Sequence, residues 1–422
     1  MAGGSQDLAT VAAAEARSKP LADLNPAQDA LFAADAIWPL FDRLRDEDPV
    51  HFTAESDYGP FWSITRFADI MAVETNHQVF SSASGSGLFS LESQAQMPPV
   101  TRRHFMEMDP PDHEEQRNTV APAVASANLA KMAPVIRERA GLILDALPIG
   151  EEFDWVDLVA KELTSMTLAT LMGFPFDERR RLSRWTDVLT TAPGHGAVET
   201  WEQKHAELAE YQRTFIEMRA ERLAAEPSFD LVSMLAHGEA TRDQPIDQYM
   251  MNIGLLLIGG NDTTRNTIAG SVHALNAFPD EYRKLRADPG LTPSMVSESI
   301  RWQSPVAHMT RTTTCDTEFG GKTIPEGDRV VMWYVSGNRD ERMITDPYAY
   351  RIDRERPRMH AGFGFGIHRC LGNRLAELQL TIIWEEILRR FDEVIVTREP
   401  QRTYSVRFRG FETLPVVIPR RR

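Results

Sequence analysis

The chain has 422 residues, of which 42% are hydrophobic and 25% are charged, a composition that excludes a disordered or fibrous protein. Its formal net charge of −15 would repel phosphate backbones and anionic lipid, so we expect no nucleic-acid partner and no binding to a membrane surface. The longest apolar stretch, near residues 253–258, is too short to cross a bilayer, which predicts no membrane insertion.

The N-terminal part divides into an extension and a short β-rich portion. Residues 1–30 are rich in Ala, Asp and Ser and lack a basic segment followed by an apolar core, so they predict a flexible extension and no signal peptide. Residues 34–45 have helical periodicity. Residues 51–52 and 61–64 flank a turn and predict a β-hairpin.

Residues 81–99 predict a mobile loop that can cover an apolar ligand, because Ser, Gly and Pro alternate there with large apolar side chains. These apolar side chains are Leu88, Phe89, Leu91 and Met97. Just after this loop, Arg102, Arg103 and His104 could receive a substrate carboxylate, although a position facing solvent or facing the carboxylates of another bound group fits them at least equally well.

Residues 109–117 begin a helix, with prolines before its first turn and acidic residues after them. His113 and Arg117 are four residues apart on one face, so both could contact one anion. Residues 126–240 are chiefly helical in pattern, and residues 190–197 predict a hinge between two of those helices.

A long helix is predicted over residues 247–278, ended by Pro279. Gly259 and Gly260 lie at its centre, where each glycine costs about 1 kcal/mol relative to alanine. They indicate either close packing or an opening in the helix, which Thr263 could stabilise by bonding back to a freed carbonyl. A simple kink capped by an Asp-Thr pair is the alternative.

The later part of the chain mixes one more helix with short strands. Glu298 and Arg301 lie on one face of a helix that starts near residues 292–293, a spacing that usually marks a surface ion pair. After residue 310 the pattern changes to short β-like runs, among them residues 329–334.

Cys370 follows a glycine-rich loop and precedes an apolar helix, marked by Leu371, Leu375, Leu378 and Ile382. Backbone N–H groups at a helix N-terminus favour a thiolate, and Gly366 and Gly372 permit turns and close backbone approach. One thiolate suits a haem iron, whereas an iron–sulfur cluster or a structural zinc site needs several. A buried structural cysteine is the alternative. The second cysteine, Cys315, then has no disulfide partner, which predicts a reducing, cytoplasmic location.

The Phe-x-x-Gly-x-x-x-Cys-x-Gly pattern of residues 363–372 resembles the haem-binding loop of the cytochrome P450 family. The Gly-Gly-x-Asp-Thr pattern of residues 259–263 and the Glu-x-x-Arg pair resemble two further motifs of that family, in the same order. The resemblance runs from about Trp38 to the C-terminus. It implies a mainly α fold with a smaller β-rich region, the cytochrome P450 fold, as a single domain over residues 31–422.

The resemblance also implies roles for individual residues. Cys370 would be the axial ligand of haem b, in a motif that includes Phe363 and Gly372, and Gly259 and Gly260 would lie beside the haem. The residues that would bind the haem propionates are His113, Arg117, Arg311 and His368. Thr263 would hydrogen-bond the activated oxygen, and Asp262 would relay protons to it for cleavage of the O–O bond.

Glu298 and Arg301 would belong to a buried scaffold network that Arg354 completes, although Tyr350 and Arg351 depart from the Phe-Asp that usually precedes this arginine in the family. Electrons would come from NAD(P)H through a flavin-dependent ferredoxin reductase and a ferredoxin. Arg369 and Arg374, next to the cysteine loop, could form a basic spot for an acidic ferredoxin.

The sequences of three segments resemble those of the soluble bacterial branch of the family that hydroxylates terminal carbons of alkanes and fatty acids. These segments are residues 259–266, 330–340 and 363–377. The predicted substrate pocket consists of Leu88, Phe89, Met97, Leu255, Leu256, Val306, Met309 and Phe411, with Phe408 a further candidate. Two alternatives remain open: the same chemistry on a terpene or polyketide, and a non-catalytic haem-thiolate sensor. The sensor would not need Asp262 and Thr263.

Overall fold

The structure is a computed structural model, and it describes residues 2–85, 87–97 and 103–422. Arg102, one of the predicted carboxylate-binding residues, lies outside the described residues. The same holds for residues 86, 98 and 99 of the predicted loop.

Helices make up most of the described chain. In the first half they are α1 (Ala2–Ser18), α2 (Asp29–Ala33), α3 (Trp38–Glu47), α4 (Phe67–Thr75), α5 (Leu91–Gln96), α6 (Asp112–Val120), α7 (Ser126–Asp145), α8 (Glu162–Met172) and α9 (Arg180–Thr190). In the second half they are α10 (Trp201–Leu223), α11 (Leu231–His237), α12 (Ile246–Ala277), α13 (Pro279–Ala287), α14 (Thr292–Gln303), α15 (Tyr334–Gly337) and α16 (Asn373–Arg390). No helix of the described residues is long and apolar enough to cross a membrane.

The strands are short and concentrate near the two ends of the chain. They are β1 (Val50–Thr53), β2 (Phe61–Ile64), β3 (Phe80–Ser81), β4 (Glu152–Asp154), β5 (Met309–Thr313), β6 (Thr317–Phe319), β7 (Lys322–Ile324), β8 (Arg329–Met332), β9 (Ile395–Val396), β10 (Gln401–Arg402), β11 (Phe411–Thr413) and β12 (Pro415–Val417). The main sheet has the order β1-β2-β8-β5-β3. Strands β2 and β8 pair in parallel, and the other neighbours pair antiparallel.

Helix α12 is the centre of the helical part. It spans 32 residues and contacts α8, α9, α14 and α16, so most of its side chains after residue 260 are buried. The cysteine loop leads into α16, which packs against α7 and α14. The cysteine loop and the middle of α12 are therefore connected through helices that pack against one another.

Most predicted elements are present. The hairpin is β1 paired with β2, from Val50 opposite Ile64 to Thr53 opposite Phe61. The strand predicted over residues 329–334 ends at Met332, because the chain turns into the short helix α15 at Tyr334. Within the predicted N-terminal extension, residues 2–18 form helix α1, with Ala12 and Ala16 buried near α3. The flexibility of this extension stays a prediction.

Candidate active site

The cysteine loop is held in a fixed shape by its own backbone. The amide of Cys370 donates to the carbonyl of Phe363 over 2.8 Å, and α16 begins three residues later, after Gly372. Gly366 has φ +62°, and a Cβ atom there would lie 2.5 Å from the Glu74 carbonyl oxygen. A glycine is therefore required at position 366 both for its conformation and for space.

The thiol of Cys370 is accessible to solvent from the cavity described below, although protein atoms surround the residue. Burial raises the pKa of this thiol. The N–H of Gly372 and the positive charges of Arg117 and Arg369 act in the opposite direction. These groups favour a thiolate, and a bound cation would add to them.

Glu74, at the end of α4, lies beneath the same loop and was not identified from the sequence. Its carboxylate accepts hydrogen bonds from the Phe365 amide at 2.6 Å, the Tyr334 hydroxyl at 2.5 Å and the Arg311 guanidinium at 3.4 Å. Burial raises the pKa of Glu74, and these three donors lower it in part. The carboxylate thus ties α4, α15 and β5 to the cysteine loop.

His113 and His368, both predicted to bind an anion, lie together at the edge of the site. Their ring centroids are 4.3 Å apart, and both imidazoles are buried with no hydrogen-bond partner on either nitrogen among the described residues. Burial is the main cause that lowers the pKa of each, in His368 to about 2. Nε of the buried Arg311 also lacks a partner. These donors fit the carboxylates of a haem, because buried polar atoms normally have partners.

Arg117 lies at the same edge but bonds to the cysteine loop. Its guanidinium donates to the carbonyl of Arg369 over 2.6 Å. Its positive charge lowers the pKa of both His368 and Cys370. The predicted arginine therefore lies close enough to influence both the histidine pair and the thiol.

An apolar cavity of about 260 Å³ connects the cysteine loop with the middle of α12. Its lining includes Cys370, Phe363, His368, Gly372 and Arg311 on the side of the loop. The predicted pocket residues that line it are Leu255, Leu256, Val306 and Met309, together with Phe408.

The two glycines of α12 serve different purposes. Both line the cavity, but a Cβ atom on Gly259 would meet no atom within 4 Å, whereas one on Gly260 would lie 2.9 Å from Cδ1 of Leu168. Thr263 also lines the cavity, and its hydroxyl donates to the Gly259 carbonyl over 3.2 Å. Gly259 leaves space in the cavity, and Gly260 permits close packing against α8.

Asp262 lies on the other side of α12 and does not contribute to the cavity lining. Its buried carboxylate accepts hydrogen bonds from Arg265 and, over 3.2 Å, from Asn266. Arg265 also contacts Asp187 at 2.5 Å, and Asp187 bonds to Lys161 at 2.9 Å. Burial raises the pKa of Asp262, which favours its protonated form.

Four predicted pocket residues lie outside the lining. Phe411 is buried against His273, at 5.3 Å between ring centroids, because β11 turns its ring away from the cavity that Phe408 reaches. Leu88 is buried in a different core cluster, and its amide donates to His308. Phe89 and Met97 belong to the segment around α5, and Phe89 is largely exposed.

The predicted scaffold residues come together away from the cavity. Arg301 donates to both carboxylate oxygens of Glu298, at 2.7 and 2.8 Å, and Arg354 donates to the same carboxylate at 2.9 Å. Glu298 and Arg301 are almost completely buried. Among the described residues, no group of three or more His, Cys, Asp or Glu side chains is placed to hold a metal ion.

Known proteins resemble this chain over most of its length. A model of the family described as Cytochrome P450 matches residues 37–408. The chain is 35% identical over 387 residues to Linalool 8-monooxygenase of Pseudomonas putida, covering 90% of this chain and 95% of that protein. It is 30% identical over 408 residues to Methyl-branched lipid omega-hydroxylase of Mycobacterium bovis, covering 90% and 92%.

Solved structures resemble the whole fold. Cytochrome P450-153 from Novosphingobium aromaticivorans is 38% identical, with a TM-score of 0.84 over 93% of this chain and 98% of that chain. CYP153D17 from Sphingomonas sp. PAMC 26605 is also 38% identical, with a TM-score of 0.85 over the same shares.

Proposed function

This chain belongs to the cytochrome P450 family and is a P450 monooxygenase, and on that premise we propose that it hydroxylates the terminal methyl group of medium-chain alkanes or fatty acids. One observation carries the proposal. An apolar cavity has the thiol of Cys370 on one side and Gly259 and Thr263 on the other, with Leu256 and Val306 in its wall.

Haem b fits the residues around this cavity. Cys370 would be its iron ligand, and His113, His368 and Arg311 would bind its propionates, because both ring nitrogens of the two histidines and Nε of Arg311 are buried without a hydrogen-bond partner among the described residues. When bound, the haem supplies the oxidant made from O₂ that inserts one oxygen atom into a C–H bond.

Proton supply falls to Thr263 and Asp262 in this proposal. Thr263 holds a proton at Oγ1 on the cavity wall, where its hydroxyl now donates to Gly259. In this proposal the Asp262 carboxylate turns away from Arg265, takes up a proton from solvent and, as the carboxylic acid, passes that proton to Thr263. The pair of Asp187 and Lys161, partly open to solvent, connects Arg265 with the surface. A sensor would not need this arrangement.

Terminal hydroxylation demands a narrow cavity, because a methyl C–H bond is stronger than the neighbouring methylene C–H bonds. Leu255, Leu256, Val306 and Met309 supply bulky apolar walls that could admit only the end of a chain. The name of the lipid omega-hydroxylase relative supports this choice. The name of the linalool relative supports the alternative, in which a terpene is the substrate.

We further propose that electrons come from NAD(P)H through a flavin-dependent ferredoxin reductase and a ferredoxin. The exposed side chains of Arg369 and Arg374, beside the cysteine loop, support the docking of an acidic ferredoxin there. Both cysteines are free thiols, which is compatible with the proposed cytoplasmic location.

The test is turnover with a surrogate ferredoxin and reductase on a medium-chain alkane, a fatty acid of equal length and a monoterpene, with the position of the new hydroxyl as the readout. We expect mainly primary alcohol or ω-hydroxy acid. Hydroxylation of the terpene alone, or only at subterminal carbons, would contradict the substrate assignment.

Two variants test the role of the cavity wall. Leu256→Ala and Val306→Ala should move the hydroxyl toward subterminal carbons, because a wider cavity exposes the weaker methylene C–H bonds. Leu257→Ala is the matched control: Leu257 is fully buried and absent from the lining, so this variant should lose stability and keep the product position. Unchanged products in both wall variants would refute the steric explanation.

A further inference from the structure

The segment of residues 402–409 brings Phe408 into the wall of the cavity. The backbone of Phe408 bridges to that of Val306 in the same wall. Two carboxylates from the N-terminal part of the chain, Asp29 and Asp35, bind this segment, although neither residue lines the cavity. Residues far from the cavity in sequence therefore fix a part of its wall.

Asp35 connects the two ends of the segment. One oxygen of its carboxylate accepts a hydrogen bond from Arg409 over 2.9 Å, and the other lies 3.1 Å from the guanidinium of Arg402. Burial would raise the pKa of Asp35, but the charges of Arg402 and Arg409 lower it to about 2, so the carboxylate is ionised at neutral pH. Arg409 also donates to the carbonyl of Gln303, the last residue of α14, over 2.6 Å.

Asp29 holds the middle of the same segment. Its carboxylate accepts a hydrogen bond from the amide of Val406 over 2.7 Å and another from the hydroxyl of Tyr58. Val406 precedes Phe408 by two residues, and Tyr58 belongs to the turn between β1 and β2. The carboxylate thus fixes the backbone next to Phe408 against the hairpin.

The end of α2 determines where the carboxylate of Asp35 lies. The amide of Ala36 donates to the carbonyl of Leu31 over 2.8 Å, and Asp35 has φ +54° in the turn that this bond closes. Glycine is the usual residue at such a position, because other residues adopt this conformation at a cost. The contacts with two arginines account for an aspartate where the turn alone favours glycine.

We propose that Asp29 and Asp35 are positioning residues that hold Phe408 in the cavity wall, so that residues 29–35 help to determine which carbon of the substrate is hydroxylated. If Phe408 is released, the cavity widens and methylene groups gain access to the oxidant. The inference rests on the proposed hydroxylation in this cavity and adds determinants of its specificity that lie outside the lining.

The experiment compares the position of the new hydroxyl on dodecane in the unaltered enzyme and in Asp35→Asn. The amide has nearly the size of the carboxylate but lacks the charge that binds Arg402 and Arg409. The share of subterminal products should rise by about 3- to 10-fold, the change expected when a hydrogen bond to a charged group is lost. In a Phe408→Ala background, Asp35→Asn should cause little further change, because the two residues act on the same wall.

Hydrogen exchange gives a readout that does not depend on turnover. Amides of residues 402–409 should exchange at least about 3-fold faster in Asp35→Asn, because the segment opens more often when its ends are released. Asp29→Ala, which removes the acceptor of the Val406 amide, should change the exchange rates and the products in the same direction. This second variant tests the inference even if Asp35→Asn fails to fold.

Asp392→Asn is the matched control. Asp392 also binds two arginines, Arg420 and Arg422, and its side chain is 34% exposed against 29% for Asp35. It lies outside the cavity lining, so this variant should leave the product position and the exchange of residues 402–409 unchanged.

Faster exchange of the segment with unchanged products would overturn the inference, as would an equal effect of Asp35→Asn with and without Phe408. A product shift in Asp392→Asn would also overturn it. Subterminal products from the unaltered enzyme would contradict terminal hydroxylation alone, because the change that Asp35→Asn causes would still measure the role of Asp35.

Discussion

At the scale of single residues, Glu74 has a larger structural effect than its place at the end of a short helix suggests. Its two carboxylate oxygens face three donors, on Phe365, Tyr334 and Arg311, that come from three separate parts of the chain. Only the Phe365 donor belongs to the cysteine loop. Replacing the carboxylate therefore releases the loop from its support without altering the loop sequence.

We predict that Glu74→Gln loosens the cysteine loop and lowers the free energy of unfolding by about 1–3 kcal/mol, the cost of leaving a buried donor unsatisfied. The amide has one oxygen, so its NH₂ group must face either the Phe365 amide or the Arg311 guanidinium, both of which are donors. The measurements are urea unfolding and the absorption band of the reduced carbon monoxide complex, which reports whether the thiolate is retained.

Tyr334→Phe is the matched control for this prediction. It removes one donor and keeps the carboxylate with its bonds to Phe365 and Arg311, so the thiolate band should persist and the stability loss should be smaller. An unchanged thiolate band and unchanged stability in Glu74→Gln would show that the loop holds its shape without this carboxylate.

The role of a residue could be predicted from the sequence where a short motif identifies it. Glu298 and Arg301 are three residues apart on one helix, so their ion pair could be predicted from spacing. The resemblance to the family identified Arg354 as the second arginine that binds Glu298. Glu74 is 291 residues from Phe365, and no spacing in the chain marks that contact.

At the scale of elements, α12 both lines the cavity and packs closely against α8. The sequence predicted residues 247–278, and the helix is Ile246–Ala277, since the apolar periodicity is long and Pro279 ends it. The two central glycines looked equivalent in sequence. Gly259 faces the cavity and Gly260 faces Leu168 of α8, so the two positions should respond differently to a methyl group.

We predict that Gly259→Ala raises the free energy of unfolding by up to about 1 kcal/mol, because alanine is the better helix former and its Cβ meets no atom within 4 Å. The same methyl group enters the cavity beside Thr263, so turnover should fall. Gly260→Ala should not gain stability, because its Cβ would lie 2.9 Å from Leu168. Urea unfolding and turnover measure both effects.

Leu168→Ala is the control for the steric part of this prediction. In that background Gly260→Ala should recover the stabilisation of about 1 kcal/mol expected from helix propensity. If Gly260→Ala stabilises the unaltered chain as much as Gly259→Ala does, the packing against α8 does not require a glycine.

Elements with weak or mixed patterns were harder to predict. Helix α1 consists mainly of alanine and polar residues, with Leu8 and Val11 as its large apolar side chains, and its burial of Ala12 and Ala16 depends on α3, which lies about twenty residues further along the chain. Helix α5 lies within the predicted mobile loop, where Ser90 caps it by accepting from the Ser93 amide. Tertiary contacts and single capping residues determine whether such helices form more than apolar periodicity does.

At the scale of the whole molecule, charge is unevenly distributed. The chain carries a net charge of −15, yet Arg117, Arg369 and Arg374 cluster beside the cysteine loop, and Arg369 and Arg374 are exposed. Local charge steers an encounter with a partner more than net charge does, because salt screens exposed charges beyond about 10 Å at 0.1 M. The basic spot should therefore select an acidic electron donor.

We predict that Arg369→Glu with Arg374→Glu weakens ferredoxin-driven turnover, most strongly at low salt, and largely spares turnover driven by peroxide, which needs no protein partner. Arg242→Glu with Arg283→Glu is the control: these exposed arginines lie elsewhere, and both double variants change the net charge by −4. Arg374→Glu alone should show the same trend, and it avoids Arg369, whose charge also acts on the Cys370 thiol. Equal losses in the two assays, or equal losses in the control, would refute docking at this spot.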